Sequence, residues 1–171
     1  MGSPKLSPVN HRNLVFNSLV FVVALMVSGC NGASESLPEV TGFESGRVSR
    51  VIDGDTVELT DGRRIRYLEI DTPETVHPDK PVECFGPEAT QRNRELVEGR
   101  DVELLSDGPD MDQFGRYLRY VFVEGTFVNA ELVWEGYAVA SSYGHQGRLF
   151  QTLVQLQRAA QEGNTGLWAV C

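Results

Sequence analysis

R-V-S-R-V-I-D-G-D-T-V-E-L-T-D-G-R-R-I-R-Y-L-E-I-D-T-P-E-T, residues 47–75, decides how this chain folds. Val48, Val51, Val57 and Leu59 give two segments, 47–53 and 56–60, the apolar spacing of strands. Asp61-Gly62 is a strong hairpin signal, and 63–70 returns as a strand with Ile65, Tyr67 and Ile70 facing inward. Two acidic clusters flank this hairpin: Asp53 and Asp55 at a break between strands, Asp71 and Glu74 where a proline-rich loop begins. Either cluster alone reads as ordinary turn chemistry. A hairpin through Asp61-Gly62 carries both to the same end of one sheet, where several carboxylates repel unless a cation neutralises them.

Oxygen ligands without His or Cys point to a hard ion, Ca²⁺ or Mg²⁺. The three histidines, at 11, 77 and 145, show no zinc spacing. Two arginines join the acids: Arg66 on the strand leading to Asp71, and Arg116 opening a later strand. Guanidinium groups are forks for phosphate oxygens. A metal, a spare carboxylate and two arginines make a site suited to attack on a phosphodiester.

Outward from this centre, the prolines from Pro73 to Pro81 hold a loop. Pro87 opens a helix running to about Glu98, with Gly99 as its stop. Residues 101–106 and 116–123 read as strands around D-G-P-D-M-D-Q-F-G, a mobile loop that lacks the calcium-loop ladder. Asn129 is expected to cap a short helix ended by Gly136, followed by an extended piece at 137–142. Leu149, Leu153, Leu156 and Ala160 recur at helical spacing in a helix over 147–162. The pattern predicts an α+β fold. A five-stranded OB-like β-barrel packed with three α-helices is one option among several.

The chain has 171 residues, a formal net charge of −9 and ordinary apolar content, which argues against a broad, non-specific nucleic-acid binder with a basic surface. The N-terminus reads as an export signal: sparse positive charge, then an apolar run from Leu14 to Val27, too short to span a membrane. It ends in V-S-G-C, which resembles a bacterial lipobox, so residues 1–29 are expected to be removed and Cys30 lipidated; simple cleavage and secretion is the alternative. Residues 30–44 then form the lipidated cysteine and a flexible spacer, and the folded domain is expected at 45–171. In an exported chain the remaining cysteines, Cys84 and Cys171, suggest one disulfide.

V-I-D-G-D-T, R-Y-L-E-I-D-T-P-E-T, F-G-P-E-A and D-Q-F-G-R, in this order and spacing, resemble the thermonuclease (staphylococcal nuclease-like) family over roughly residues 47–168. The resemblance implies an OB-fold barrel with three helices. It also implies a Ca²⁺-dependent nuclease that hydrolyses DNA and RNA at the 5′ P–O bond and leaves 3′-phosphate ends. Matched by motif, Asp55 and Asp71 would be carboxylate ligands of Ca²⁺, with Thr72 adding its backbone carbonyl. Glu74 would be the general base, Arg66 and Arg116 would bind the scissile phosphate, and Asp53 would stand near the metal without ligating it. Gln113-Phe114 departs from the Lys-Tyr that family members often carry, and of two typical nucleotide-pocket tyrosines only Tyr143 is matched, so weaker grip on nucleotide ends is expected. A monomer held at the membrane through the Cys30 lipid is the expected form. The rival is a non-catalytic nucleic-acid or protein-binding module on the same barrel.

Overall fold

The computed structural model describes residues 42–76 and 81–171, all within one unit, Pro38–Cys171. The signal segment, Cys30 and most of the expected spacer lie outside the described residues. Strand β1 (Phe43–Asp53) begins two residues inside what was read as spacer, so the domain starts before residue 45. Its outer half pairs with β5 (Asp101–Leu105) and its inner half with β2 (Thr56–Leu59). Register shifts between Val48 and Arg50, and between Val51 and Asp53, bend the strand so that it serves both neighbours.

β2 pairs with β3 (Arg64–Tyr67) across the Asp61-Gly62 turn, with Val57 opposite Ile65. β6 (Tyr117–Val123) pairs antiparallel with β5 and parallel with β3, matching Ile65 to Tyr117 and Tyr67 to Arg119. That parallel pairing closes the order β3-β2-β1-β5-β6 into a five-stranded barrel, the OB-fold. A short β7 (Thr126–Phe127) extends the sheet beyond β6.

The strand expected at 63–70 is two pieces. Leu68 and Glu69 turn the chain, Glu69 with a left-handed φ of 62°, and β4 (Ile70–Asp71) pairs instead with β8 (Val139–Ala140). Helix α1 (Gly86–Val97) lays Ala89, Asn93 and Val97 on the barrel, the spacing of one buried helical face. Helix α2 (Val128–Trp134) starts two residues earlier than an Asn129 cap would place it, so Asn129 is not its cap. Asn129 is buried instead: its Oδ1 accepts the Val121 N–H at 3.0 Å and its Nδ2 donates to the Leu68 carbonyl at 2.8 Å. It satisfies two interior backbone groups at once, which outweighs its capping preference. Helix α3 (Phe150–Glu162) starts later than its expected 147, because Gly147 and Arg148 are drawn onto other partners, and a last turn, α4 (Leu167–Val170), follows.

The core joins Val48, Val57, Leu59, Ile65 and Tyr67 of the barrel to Val97, Leu132, Val133 and Leu153 of the helices. Each fully buried aliphatic side chain contributes on the order of 1.5–3 kcal/mol. Two buried bonds tie this core to the barrel's acidic end. The Tyr67 hydroxyl donates to Asn93 Oδ1 at 2.9 Å, and Asn93 Nδ2 donates to the Asp53 carbonyl at 3.0 Å. Cys84, just before α1, is disulfide-bonded to the last residue, Cys171, with Cα atoms 6.0 Å apart. No helix among the described residues is long and apolar enough to cross a membrane.

Candidate active site

The β1–β2 turn and β4 meet where the sequence pattern brings its acids together. The Thr72 amide and hydroxyl both donate to Asp55 Oδ2, at 2.8 and 2.9 Å, stitching the two segments. Gly54 makes that approach possible in a different way from the bending freedom that glycine usually supplies. Its φ is not left-handed, but a Cβ there would stand 2.6 Å from Thr72 Oγ1 and 2.7 Å from Thr72 Cβ. Asp53 Oδ1 accepts the Asp55 N–H at 3.1 Å, which sets the turn.

Arg66 lies between the two acidic clusters and is 7% exposed. Its Nη1 is 2.9 Å from Asp55 Oδ2, and its Nη2 donates to Asp71 Oδ1 at 2.8 Å. Nη1 also donates to the carbonyls of Ile70 and Tyr67, so the guanidinium is held before any substrate arrives. Tyr143, from the loop after β8, places its ring centroid 5.5 Å from this guanidinium and accepts from Nη2 through its hydroxyl at 3.2 Å.

Glu74 follows Asp71 and Thr72 on the same loop. Its Oε1 accepts the amides of Thr75 and Val76 at 2.9 and 2.8 Å, which fixes the side chain against its own backbone. Its backbone is clamped by a residue that sequence reasoning missed. Glu83 Oε2 accepts the Glu74 N–H at 3.0 Å, and the Glu83 N–H donates to the Glu74 carbonyl at 2.9 Å. Gly86 leaves room for the loop, since a Cβ there would lie 2.7 Å from Thr75 Cγ2 and 3.0 Å from the Pro73 carbonyl oxygen. The one available hint was that both ends of the proline loop must meet at the start of α1.

Arg116 enters from the opposite side. Asp112 Oδ2 accepts its Nε at 2.6 Å, and Asp112 Oδ1 accepts the amides of Phe114 and Arg116. Burial raises the Asp112 carboxyl, but those hydrogen bonds outweigh it and hold it below the usual range. The segment expected to be a mobile loop is thus a tight turn organised by one aspartate. Phe114 is exposed, with its ring centroid 5.4 Å from the Arg116 guanidinium.

Asp53, Asp55, Arg66, Asp71, Thr72, Glu74, Arg116 and Tyr143 line one hollow of about 160 Å³. Its electrostatics are unbalanced toward negative charge. Burial pushes the Asp55 carboxyl up to about 6, against the pull of Arg66 and with the added push of Asp53. Burial likewise raises Asp71, against the pull of Tyr143 and Arg66. Among the described residues, no three acidic, histidine or cysteine side chains converge closely enough to hold a metal unaided, because Arg66 stands between the carboxylates. The donor chemistry nevertheless fits a hard divalent cation. Four carboxylates face two arginines, one of which is paired to Asp112, and Asp71 keeps nearly half its side chain exposed. A larger hollow of about 470 Å³ adjoins on the far side of Arg66, walled by Pro109, Met111, Phe114, Leu118 and Tyr143.

The family model described as staphylococcal nuclease homologue matches residues 64–170, from β3 to the end of α4. A thermonuclease of Staphylococcus intermedius is 33% identical over 154 residues, covering 88% of this chain and 91% of that protein. A thermonuclease of Staphylococcus hyicus is 32% identical over 167 residues, covering 92% and 99%. The endonuclease YncB of Bacillus subtilis is 35% identical over 127 residues, covering 71% of this chain and 60% of that protein.

Proposed function

Because this chain belongs to the staphylococcal nuclease family, we propose that it is a nuclease acting on DNA and RNA, and that its hollow of acids and arginines is the catalytic site. The observation that carries this reading is Arg66, buried and fastened between Asp55 and Asp71, on the same hollow as Glu74 and Arg116. A binding module has no need to hold a guanidinium rigidly beside a loop-clamped glutamate. Ca²⁺ is the proposed cofactor; Asp55, Asp71 and the Thr72 carbonyl would hold it, with Asp53 beside them, and when bound it would polarise a phosphoryl oxygen.

The chain's own residues divide the remaining work. Arg66 and Arg116 reach the hollow from two sides and neutralise charge building on the phosphoryl oxygens. Glu74 accepts the proton of the attacking water, whose oxygen bonds to phosphorus as the bond to the 5′ oxygen breaks. The 5′ oxygen leaves as a hydroxyl after protonation by solvent, and the phosphate stays on the 3′ end. Tyr143 packs on Arg66 and supports the nucleotide beside the scissile phosphate.

Degradation of plasmid DNA and of RNA by the purified protein, with Ca²⁺ or with EDTA, tests this. Activity should need Ca²⁺, and products should take a 5′ label from a kinase without prior dephosphorylation. Glu74→Gln should lower kcat by about 10²–10⁴-fold, and Arg66→Ala should cost at least as much. Full activity in both variants, or activity in EDTA, would overturn the mechanism. Binding without cleavage at every Ca²⁺ level would make the domain a binding module. From the sequence alone we further propose export and a lipid anchor at Cys30. An unmodified Cys30 in the mature membrane fraction, read by mass spectrometry, would rule the anchor out.

A further inference from the structure

Glu69 is 3% exposed and has a left-handed φ, an unusual state for a charged residue in a turn. Among the described residues its carboxylate is satisfied by hydrogen bonds rather than by an ion pair. Oε2 accepts from the Tyr120 hydroxyl and Oε1 accepts from the Gly147 N–H. Its backbone carbonyl accepts the Ser141 N–H at 2.9 Å. Both ends of the loop over residues 142–146 are therefore fastened to this one residue. The loop carries Tyr143, an exposed side chain whose ring and hydroxyl meet Arg66. Glu69 is three residues beyond Arg66 in the chain, so one turn of backbone holds both the guanidinium and the support of the ring that packs on it.

Gly147 is shaped to this contact. A Cβ there would lie 2.7 Å from the Tyr120 hydroxyl and 2.5 Å from Asp107 Oδ2. Asp107 Oδ2 also accepts the next amide, that of Arg148, at 2.7 Å. The loop has no regular secondary structure, and its one internal backbone bond runs from the His145 N–H to the Ser142 carbonyl at 2.8 Å. Without the anchor, Tyr143 would have to be ordered each time a nucleotide binds, and that ordering cost falls on affinity.

We propose that Glu69 is a positioning residue for substrate binding. It pins the 141–147 loop at both ends so that Tyr143 is held over Arg66 before the nucleic acid arrives. This rests on the reading of Arg66 and Tyr143 as the substrate-holding pair. A charged residue facing away from the hollow becomes a determinant of affinity, while the chemistry at Glu74 is left alone.

The test uses the full protein and a short single-stranded oligonucleotide, read by KM, kcat and direct binding, with amide hydrogen exchange on residues 142–147. Glu69→Leu removes the acceptors for Gly147 and Tyr120. It should raise KM and Kd by about three- to tenfold, leave kcat within about twofold, and speed exchange in the loop alone. Gly147→Ala pushes the loop off the same carboxylate from the other side and should do the same. Glu69→Gln keeps an acceptor for Gly147 and a partner for the Tyr120 hydroxyl, and should restore wild-type KM and exchange. Tyr120→Phe removes one donor to the Glu69 carboxylate and leaves the acceptor for Gly147 in place, so KM should stay within about twofold of wild type. Wild-type KM and loop exchange in both Glu69→Leu and Gly147→Ala would overturn the proposal. So would equal loss of protection across the whole domain without rescue by glutamine. If the wild-type protein cleaves nothing, the nuclease reading falls by itself, and loop exchange with oligonucleotide binding still decides the role of Glu69.

Discussion

Breaking the Cys84–Cys171 bond tests how the last turn of the chain is held. The bond joins residues 87 apart and encloses α1, α2, α3 and two strands of the barrel. Both cysteines are exposed, and α4 buries none of its four residues completely. Few native contacts should therefore be lost when the bond opens, and the main effect should fall on the unfolded chain. For a closed loop of this length the chain-entropy relation gives about 4.6 kcal/mol at 25 °C, and measured values commonly come out nearer 2–4. In a domain of this size a loss of 2–4 kcal/mol corresponds to a fall in Tm of roughly 6–16 °C. The assay is urea unfolding of the protein with and without reductant, beside the Cys84→Ser, Cys171→Ser and double variants. All three variants and the reduced protein should share one lowered midpoint. Their m-value should be higher, because the uncrosslinked unfolded chain exposes more surface. An unchanged midpoint and m-value after complete reduction would refute the reasoning, and would mean that the unfolded state is already compact across this span.

Three further perturbations probe the site and its support. Asn93→Leu leaves the Tyr67 hydroxyl and the Asp53 carbonyl unpaired in the interior, and should cost about 2–4 kcal/mol in urea unfolding. Gly54→Ala should lower stability by about 1–3 kcal/mol by driving Thr72 off Asp55, with activity falling further than stability accounts for. Thermal unfolding in EDTA and in excess Ca²⁺ should show stabilisation that grows with the logarithm of Ca²⁺ concentration. That stabilisation should vanish in Asp55→Asn; an equal rise in Tm for that variant would place the ion elsewhere.

The hairpin at the centre of the fold was legible because its determinants are local. Alternating valines and isoleucines and an Asp-Gly turn specify β2 and β3 within a dozen residues, and the acids at their ends must then converge. α1 was legible for the same reason, from Pro87 and the periodicity running to Gly99. Asn129 and Asp112 were misread because each has a satisfactory local role, as a cap and as a loop residue. Only the barrel brings Asn129 to the Leu68 carbonyl. Asp112 meets Arg116 four residues on, within its own turn, a local contact that the loop-like composition concealed. Glu69 gave no signal and Glu83 only the indirect one that the proline loop must close at the start of α1: a glutamate inside a strand-like run and an exposed glutamate before a helix look like surface residues.

By itself the sequence determined the central hairpin and the main helices, the convergence of Asp53, Asp55, Asp71 and Glu74, and the residue types a phosphodiester site requires. Those follow from side-chain period and turn chemistry, which act between neighbours along the chain. Tertiary structure alone decided that β3 closes on β6, that Arg66 is buried between the two acidic clusters, and that Glu69 and Glu83 hold the loops carrying Tyr143 and Glu74. A buried charge or an unpaired amide takes whichever partner the closed barrel brings within about 3 Å, and nothing in the local pattern states which partner that is.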